Sequence, residues 1–244
     1  MKKYGFTIAE SIITMAIIGI VAALTIPSLT TNYRKQAYTS ALSSAISNFE
    51  NAMSTLILNE GADDLLDTQA WKNAELSLDS TSTEEKINQF TTNIGKTLKI
   101  SNFKTSSLNY KPLSAPNSNA SLSYGSPVRF TTKNGYEYQI YLSNISKIGV
   151  YDTEEDMIND GCSYFNKAGE VGIDINGEKG PNIVGRDYFR FELGNDGRLY
   201  PFGGNDYCAH NDVEYTDVTT KCVTDLDGSY CAAHLMQNGY KMDY

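Results

Sequence analysis

Gly5-Phe6-Thr7-Ile8-Ala9-Glu10-Ser11-Ile12-Ile13-Thr14-Met15-Ala16-Ile17-Ile18-Gly19-Ile20-Val21-Ala22-Ala23-Leu24-Thr25-Ile26-Pro27-Ser28-Leu29 decides the fold. Phe6 to Leu29 is 24 residues with one charge, Glu10. As a helix it measures ~36 Å, enough to cross a hydrocarbon core of ~30 Å with some tilt. A secretory signal would have a shorter apolar region and a small-residue cleavage site, for which Ala22-Ala23 is the candidate. Here the apolar pattern continues past those alanines, which favours an anchor that is kept. Pro27 has no N–H and crowds the preceding turn, so a kink or local melting is expected there.

Lysines 2 and 3 precede the segment, and Arg34 and Lys35 follow it, so flanking charge barely orients it. The cysteines break the tie. Cys162, Cys208, Cys222 and Cys231 all lie far on the C-terminal side, in Gly/Asn-rich sequence that suits an oxidising compartment. The expected topology is single-pass, with the N-terminus inside and the bulk outside the cytoplasmic membrane.

Gly5-Phe6-Thr7-Ile8-Ala9-Glu10 followed by an apolar run resembles the N-terminal signal of type IV prepilins and type II secretion pseudopilins. The resemblance covers about the first 30 residues. It implies a peptidase cut between Gly5 and Phe6 and N-methylation of Phe6. Counted from Phe6, Glu10 is fifth and Pro27 twenty-second, as in that family; Ile8-Ala9 replaces its more usual Leu-Ile. It also implies a single-pass subunit stored in the inner membrane, with its head in the periplasm or outside. Its partners would be copies of itself, other pilins or pseudopilins, the prepilin peptidase/methyltransferase and an inner-membrane assembly platform.

The physics of these positions is plain. Gly5 lets the scissile bond lie extended and close to a protease. Loss of residues 1–5 takes the net charge from −9 to −11 and frees an amine at Phe6. A carboxylate in hydrocarbon costs several kcal/mol unless paired or protonated. Two partners are open to Glu10: the Phe6 amine of its own chain, at helical i, i+4 spacing, or that of a neighbour. The resemblance implies the second, with Glu10 an assembly residue.

Past Pro27, Ala37, Ala41, Leu42, Ala45, Ile46, Phe49, Met53, Leu56 and Ile57 recur at helical spacing, and Gly61 is a stop. The reading is residues 1–5 as leader, 6–29 as membrane and assembly half of one helix, 30–60 as its amphipathic half, and 61–244 as head. In the head, Ser82-Thr83-Glu84-Glu85 reads as a capping box opening a helix through Ile87, Phe90, Ile94 and Leu98. Residues 101–126 read as loop. Strands are expected at 128–133 and 136–142 around Asn134-Gly135, a type I′ hairpin, and at 171–175, 188–193 and 198–200. The sheet is expected to be antiparallel and the tail from Phe202 irregular. The fold class is α+β: a long N-terminal helix packed on an antiparallel sheet, with a disulfide-stapled C-terminal region.

Four cysteines allow three pairings, and spacing selects none. Two disulfides are the plain expectation. Zinc held by Cys208, His210, Cys231 and His234 is the rival, with unusual spacing. Asp174, Asn176, Asn182 and Asp187 lie in a Gly/Pro-rich stretch, where alternating oxygen side chains either make a turn or hold calcium. Glu154-Glu155-Asp156 reads as a solvated face.

Composition sets the limits. Twenty Lys and Arg against 29 Asp and Glu make an acidic chain, with no general attraction for nucleic acid. Two histidines leave no multi-imidazole chemistry. Seventeen tyrosines, with many Ser, Thr and Asn, suggest an exposed β surface. No catalytic residues and no enzyme are expected. The function that the N-terminal resemblance implies is a structural subunit of a type IV pilus-like filament or type II secretion pseudopilus. The alternative is a minor tip subunit that binds a surface or an exported protein.

Overall fold

The computed structural model describes residues 5, 7–75, 83–104, 108–124, 127–141, 167–202, 218–224 and 228–244; of 73–75, 83–89 and 167 it describes the backbone alone. Cys162, Cys208, His210, Phe6 and Glu154-Glu155-Asp156 therefore lie outside the described residues.

Helix α1, Ile8–Glu60, has 53 residues and is about 80 Å long. It continues through Pro27, so the proline does not end it. The hydroxyls of Thr30 and Thr31 both donate to the Pro27 carbonyl at 2.9 Å. Gly61 closes the helix in the left-handed region at φ 60°, its N–H donating to the Ile57 and Leu58 carbonyls. The two halves differ in what they bury. Leu42, Ala45, Ile46, Phe49, Ala52, Met53 and Leu56 are buried at three- and four-residue spacing. From Ile8 to Leu29 the large apolar side chains are exposed, Ile8 by 80% and Leu29 by 67%.

Two further helices follow, α2 (Gln69–Glu75) and α3 (Thr83–Leu98). The second is the helix expected from the capping box. The first was not anticipated. It carries Trp71, whose Nε1–H donates to the Ala168 carbonyl at 2.7 Å and whose ring meets Phe90 edge-on at 5.2 Å.

The described residues form one six-stranded antiparallel sheet in sequence order: β1 (Ile100–Lys104), β2 (Val128–Thr132), β3 (Glu137–Tyr141), β4 (Lys167–Asp174), β5 (Tyr188–Gly194) and β6 (Leu199–Pro201). Strand β1 corrects the loop expected from residue 101. It is a bulged edge strand, half exposed, so it shows no clean alternation. The β2–β3 hairpin stands where expected, but its turn is not type I′. Only Gly135 has positive φ, at 88°, and its N–H donates to the Thr132 carbonyl. Type I′ needs two such residues; one fits a type I turn followed by a left-handed glycine. Gly194 to Gly197 repeats the design between β5 and β6, with Gly197 at φ 81°.

The face of the sheet toward α1 is apolar. Phe130, Tyr138, Ile173 and Phe189 pair across β2 to β5. The Tyr138 ring lies 5.3 Å from Phe49, and its hydroxyl donates to the Ala45 carbonyl at 2.9 Å. Truncating Phe49 to Ala would cost ~3–5 kcal/mol. The other face is polar but also buried. Arg129, Glu137, Gln139, Asp174 and Glu192 are all at most 2% exposed. Residues 108–124 lie over it, with Tyr110 stacked on Tyr188 at 3.8 Å. The expected exposed tyrosine surface is therefore corrected: Tyr110, Tyr138 and Tyr188 are core residues.

The C-terminal region is not wholly irregular. It holds α4 (Val218–Thr224) and α5 (Cys231–Gln237), clamped by a Cys222–Cys231 disulfide. The Cys-Ala-Ala-His-Leu-Met-Gln run is made of fair helix formers, and Ala232 and Leu235 join the main core.

Candidate functional site

Among the described residues, most of the exposed large apolar side chains lie on the first half of α1. None of the helix's best 18-residue window is buried, and it is long and apolar enough to cross a membrane. Thr7 caps its start. The Glu10 N–H donates to the Thr7 hydroxyl at 3.3 Å, while the Thr7 N–H and hydroxyl donate to Glu10 Oε2 at 2.8 and 2.7 Å. This capping box is a third way to satisfy Glu10, beside the two amine partners weighed above. Its signature, Thr-x-x-Glu, was present in the sequence and unread.

The loop from Asp174 to Asp187 brings all four of its candidate residues together. Asp187 is buried and accepts from the Ile183 N–H at 2.6 Å, the Asn182 N–H at 2.8 Å and the Asn176 amide at 3.3 Å. Asp174, also buried, accepts from the Asn176 N–H at 3.1 Å and the Tyr110 hydroxyl at 3.2 Å. Asn182 takes the left-handed region, φ 55°, at a position where Asn is tolerated. To that extent the loop is a turn closed by its own hydrogen bonds.

Two observations exceed a turn. The side-chain oxygens of Asn176 and Asn182 are buried and have no hydrogen-bond partner. Both carboxyls also titrate upward, Asp174 strongly. Burial is the main cause, and for Asp174 the neighbouring charge of Asp187 comes second. Asp174 also stands directly across from Glu137 in the β3–β4 ladder. Arg129 takes the Glu137 carboxylate with two bonds of 2.8 Å, and no described cation is paired with Asp174 or Asp187. Among the described residues, no group of three or more acidic, His or Cys side chains is placed to hold a metal. A cation here would rest on two carboxylates and two amide oxygens, a donor set that suits a hard ion.

The cysteine region settles one alternative. Cys231 is bonded to Cys222, so it offers no thiolate to zinc. His234 is occupied on both nitrogens, Nδ1 3.0 Å from the Thr219 hydroxyl and Nε2 2.7 Å from Asp243. Sequence spacing did not reveal this hydroxyl–imidazole–carboxylate chain. The cavities along α1 are not lined by Thr219 or His234. The chain ties α4, α5 and the segment after α5 together.

Comparison with protein-family models, with curated proteins and with solved structures finds no match in any of the three.

Proposed function

We propose that this chain is a membrane-stored structural subunit of a type IV pilus-like filament or secretion pseudopilus. The carrying observation is the division of α1: one half packs on the head, and the other exposes an apolar surface of membrane-spanning length behind Gly5-Phe6-Thr7-Ile8-Ala9-Glu10. A helix built in this way needs a second apolar environment. The membrane supplies it before assembly, and neighbouring helices supply it in a filament. The peptidase/methyltransferase cuts after Gly5 and methylates Phe6; the assembly platform then draws Glu10 toward the amine of a neighbour. The test is the sheared surface fraction of producing cells. The chain should be in filaments there and be held in the membrane, with its leader, when the prepilin peptidase is deleted. Recovery of filaments without the peptidase would overturn the reading.

A calcium ion in the head is a second proposal, supported by the two orphaned amide oxygens. Asp174, Asn176, Asn182 and Asp187 would hold it. The ion would supply positive charge to two buried carboxylates that otherwise meet none, and so fix the loop between β4 and β5.

A further inference from the structure

A cavity of about 710 Å³ lies where α1 leaves its apolar half and meets the head. Thr31, Arg34, Lys35 and Tyr38 line one side. Their spacing of three, one and three places them on one face of the helix. The head supplies the other side, including Arg186 and Tyr244. Lys35 Nζ donates to the Tyr244 carbonyl at 2.6 Å, which holds that wall against α1. Arg34 and Arg186 are exposed. Among the described residues, no carboxylate lies within ion-pair distance of either. Asp187 does not line the cavity, although its charge reaches Tyr38; its oxygens accept from the Ile183, Asn182 and Asn176 N–H groups. Asp243 accepts from His234 and Asn238. The cavity thus presents two exposed arginines with no described carboxylate paired to either, while Lys35 is already bonded to Tyr244.

Its height matters as much as its charge. The exposed apolar side chains run from Ile8 to Leu29. At about 1.5 Å per residue this is ~32 Å, matching a ~30 Å hydrocarbon core. Arg34 stands five residues further on, about 7–8 Å along the axis, and the headgroup layer on each side is roughly 5–8 Å deep. The arginines therefore lie at the level of lipid phosphates. Leu113, Pro181 and Met242 add apolar wall suited to a glycerol backbone.

We infer that this cavity binds the phosphate of an anionic phospholipid, gripped between Arg34 on the anchor helix and Arg186 on the head. The inference rests on the membrane-stored reading. It adds a docking point that fixes how the head sits on the membrane before assembly. A headgroup with a net negative charge is favoured over phosphatidylcholine, whose choline brings a cation to the same arginines.

The test uses the full chain reconstituted into vesicles of phosphatidylcholine with phosphatidylglycerol, followed by native mass spectrometry of the lipids retained in detergent. Insertion is scored separately, by resistance to alkaline extraction. Phosphatidylglycerol should be retained over phosphatidylcholine, and Arg34→Gln and Arg186→Gln should each lower that preference about fivefold. Unchanged melting of the variants would exclude misfolding as the cause. Insertion with equal retention of both lipids, or with a preference untouched by either variant, overturns the cavity and leaves the anchor standing. Failure to insert overturns both. Inorganic phosphate added in detergent separates the sources: protection by millimolar phosphate equal to that by the lipid marks a soluble-anion site and overturns the lipid assignment.

Discussion

Replacing Glu10 with Leu separates what this carboxylate does within its own chain from what it does between chains, because the two differ in size. Within the chain, Glu10 serves the helix start through two bonds from Thr7, at 2.8 and 2.7 Å. Losing a cap of this kind costs ~0.5–2 kcal/mol. At 1 kcal/mol that is a factor of about five in an assembly constant. If Glu10 instead pairs with the Phe6 amine of a neighbour, Leu leaves that amine buried without its partner. An uncompensated charge of that sort costs roughly 3–5 kcal/mol, a loss of more than about a hundredfold. The assay is sheared-filament yield relative to membrane-fraction protein. Thr7→Ala is the control, since it removes the cap hydroxyl and keeps the carboxylate. We expect Glu10→Leu to be cleaved after Gly5, to stay in the membrane and to form no filaments alone, while Thr7→Ala loses about fivefold, and no more than about thirtyfold. Co-expression with the wild-type chain should restore partial incorporation. If the two variants lose the same few-fold yield, the carboxylate is a cap and the intermolecular pair is refuted.

Other consequences are measured on the head. Non-reducing peptide mapping should find Cys222 linked to Cys231, and Cys162 linked to Cys208 by the only pairing left; a free thiol at any of the four contradicts this. Chelation should lower the melting temperature, and Asp174→Asn should remove the difference; identical melting with and without calcium returns the loop to a simple turn. In chelator, the raised Asp174 carboxyl means that the folded state holds its proton more tightly than the unfolded one. Its contribution is then full below the ordinary carboxylate range and lost as pH rises through the folded value. The wild type should therefore melt lower at pH 8 than at pH 5, with a smaller drop in Asp174→Asn; equal drops would show that Asp174 is not the titrating group. Gly172→Ala should destabilise by ~1–3 kcal/mol, because its Cβ would overlap the hydroxyl end of Tyr188, a fully buried ring stacked on Tyr110. An unaltered denaturation midpoint would show that the polar face repacks.

The parts of the fold legible in sequence are those with a strong period. Leu42 to Leu56 repeats at three and four, and the helix buries that stripe. Phe90, Ile94 and Leu98 do the same on α3. The unread parts lack a period or break it. Strand β1 is short, bulged and half exposed, so Ile100–Lys104 carries no alternation. The buried polar face reads as a surface because Arg129, Glu137 and Gln139 are normally exposed types; only the covering segment 108–124, which has no period of its own, makes them core. The turn at Asn134-Gly135 had the right residues for type I′, but the extra residue in the loop leaves a single left-handed glycine. At the loop from Asp174 to Asp187, sequence found the residues and could not count their hydrogen bonds. The orphaned oxygens of Asn176 and Asn182 are a property of geometry alone.

Mass spectrometry of the N-terminus of the filament-associated chain tests the central claim most directly. The account predicts a mature chain that begins at N-methylated Phe6, with residues 1–5 gone and α1 otherwise whole. A chain that still carries Met1, or one that begins after Ala23, would contradict it.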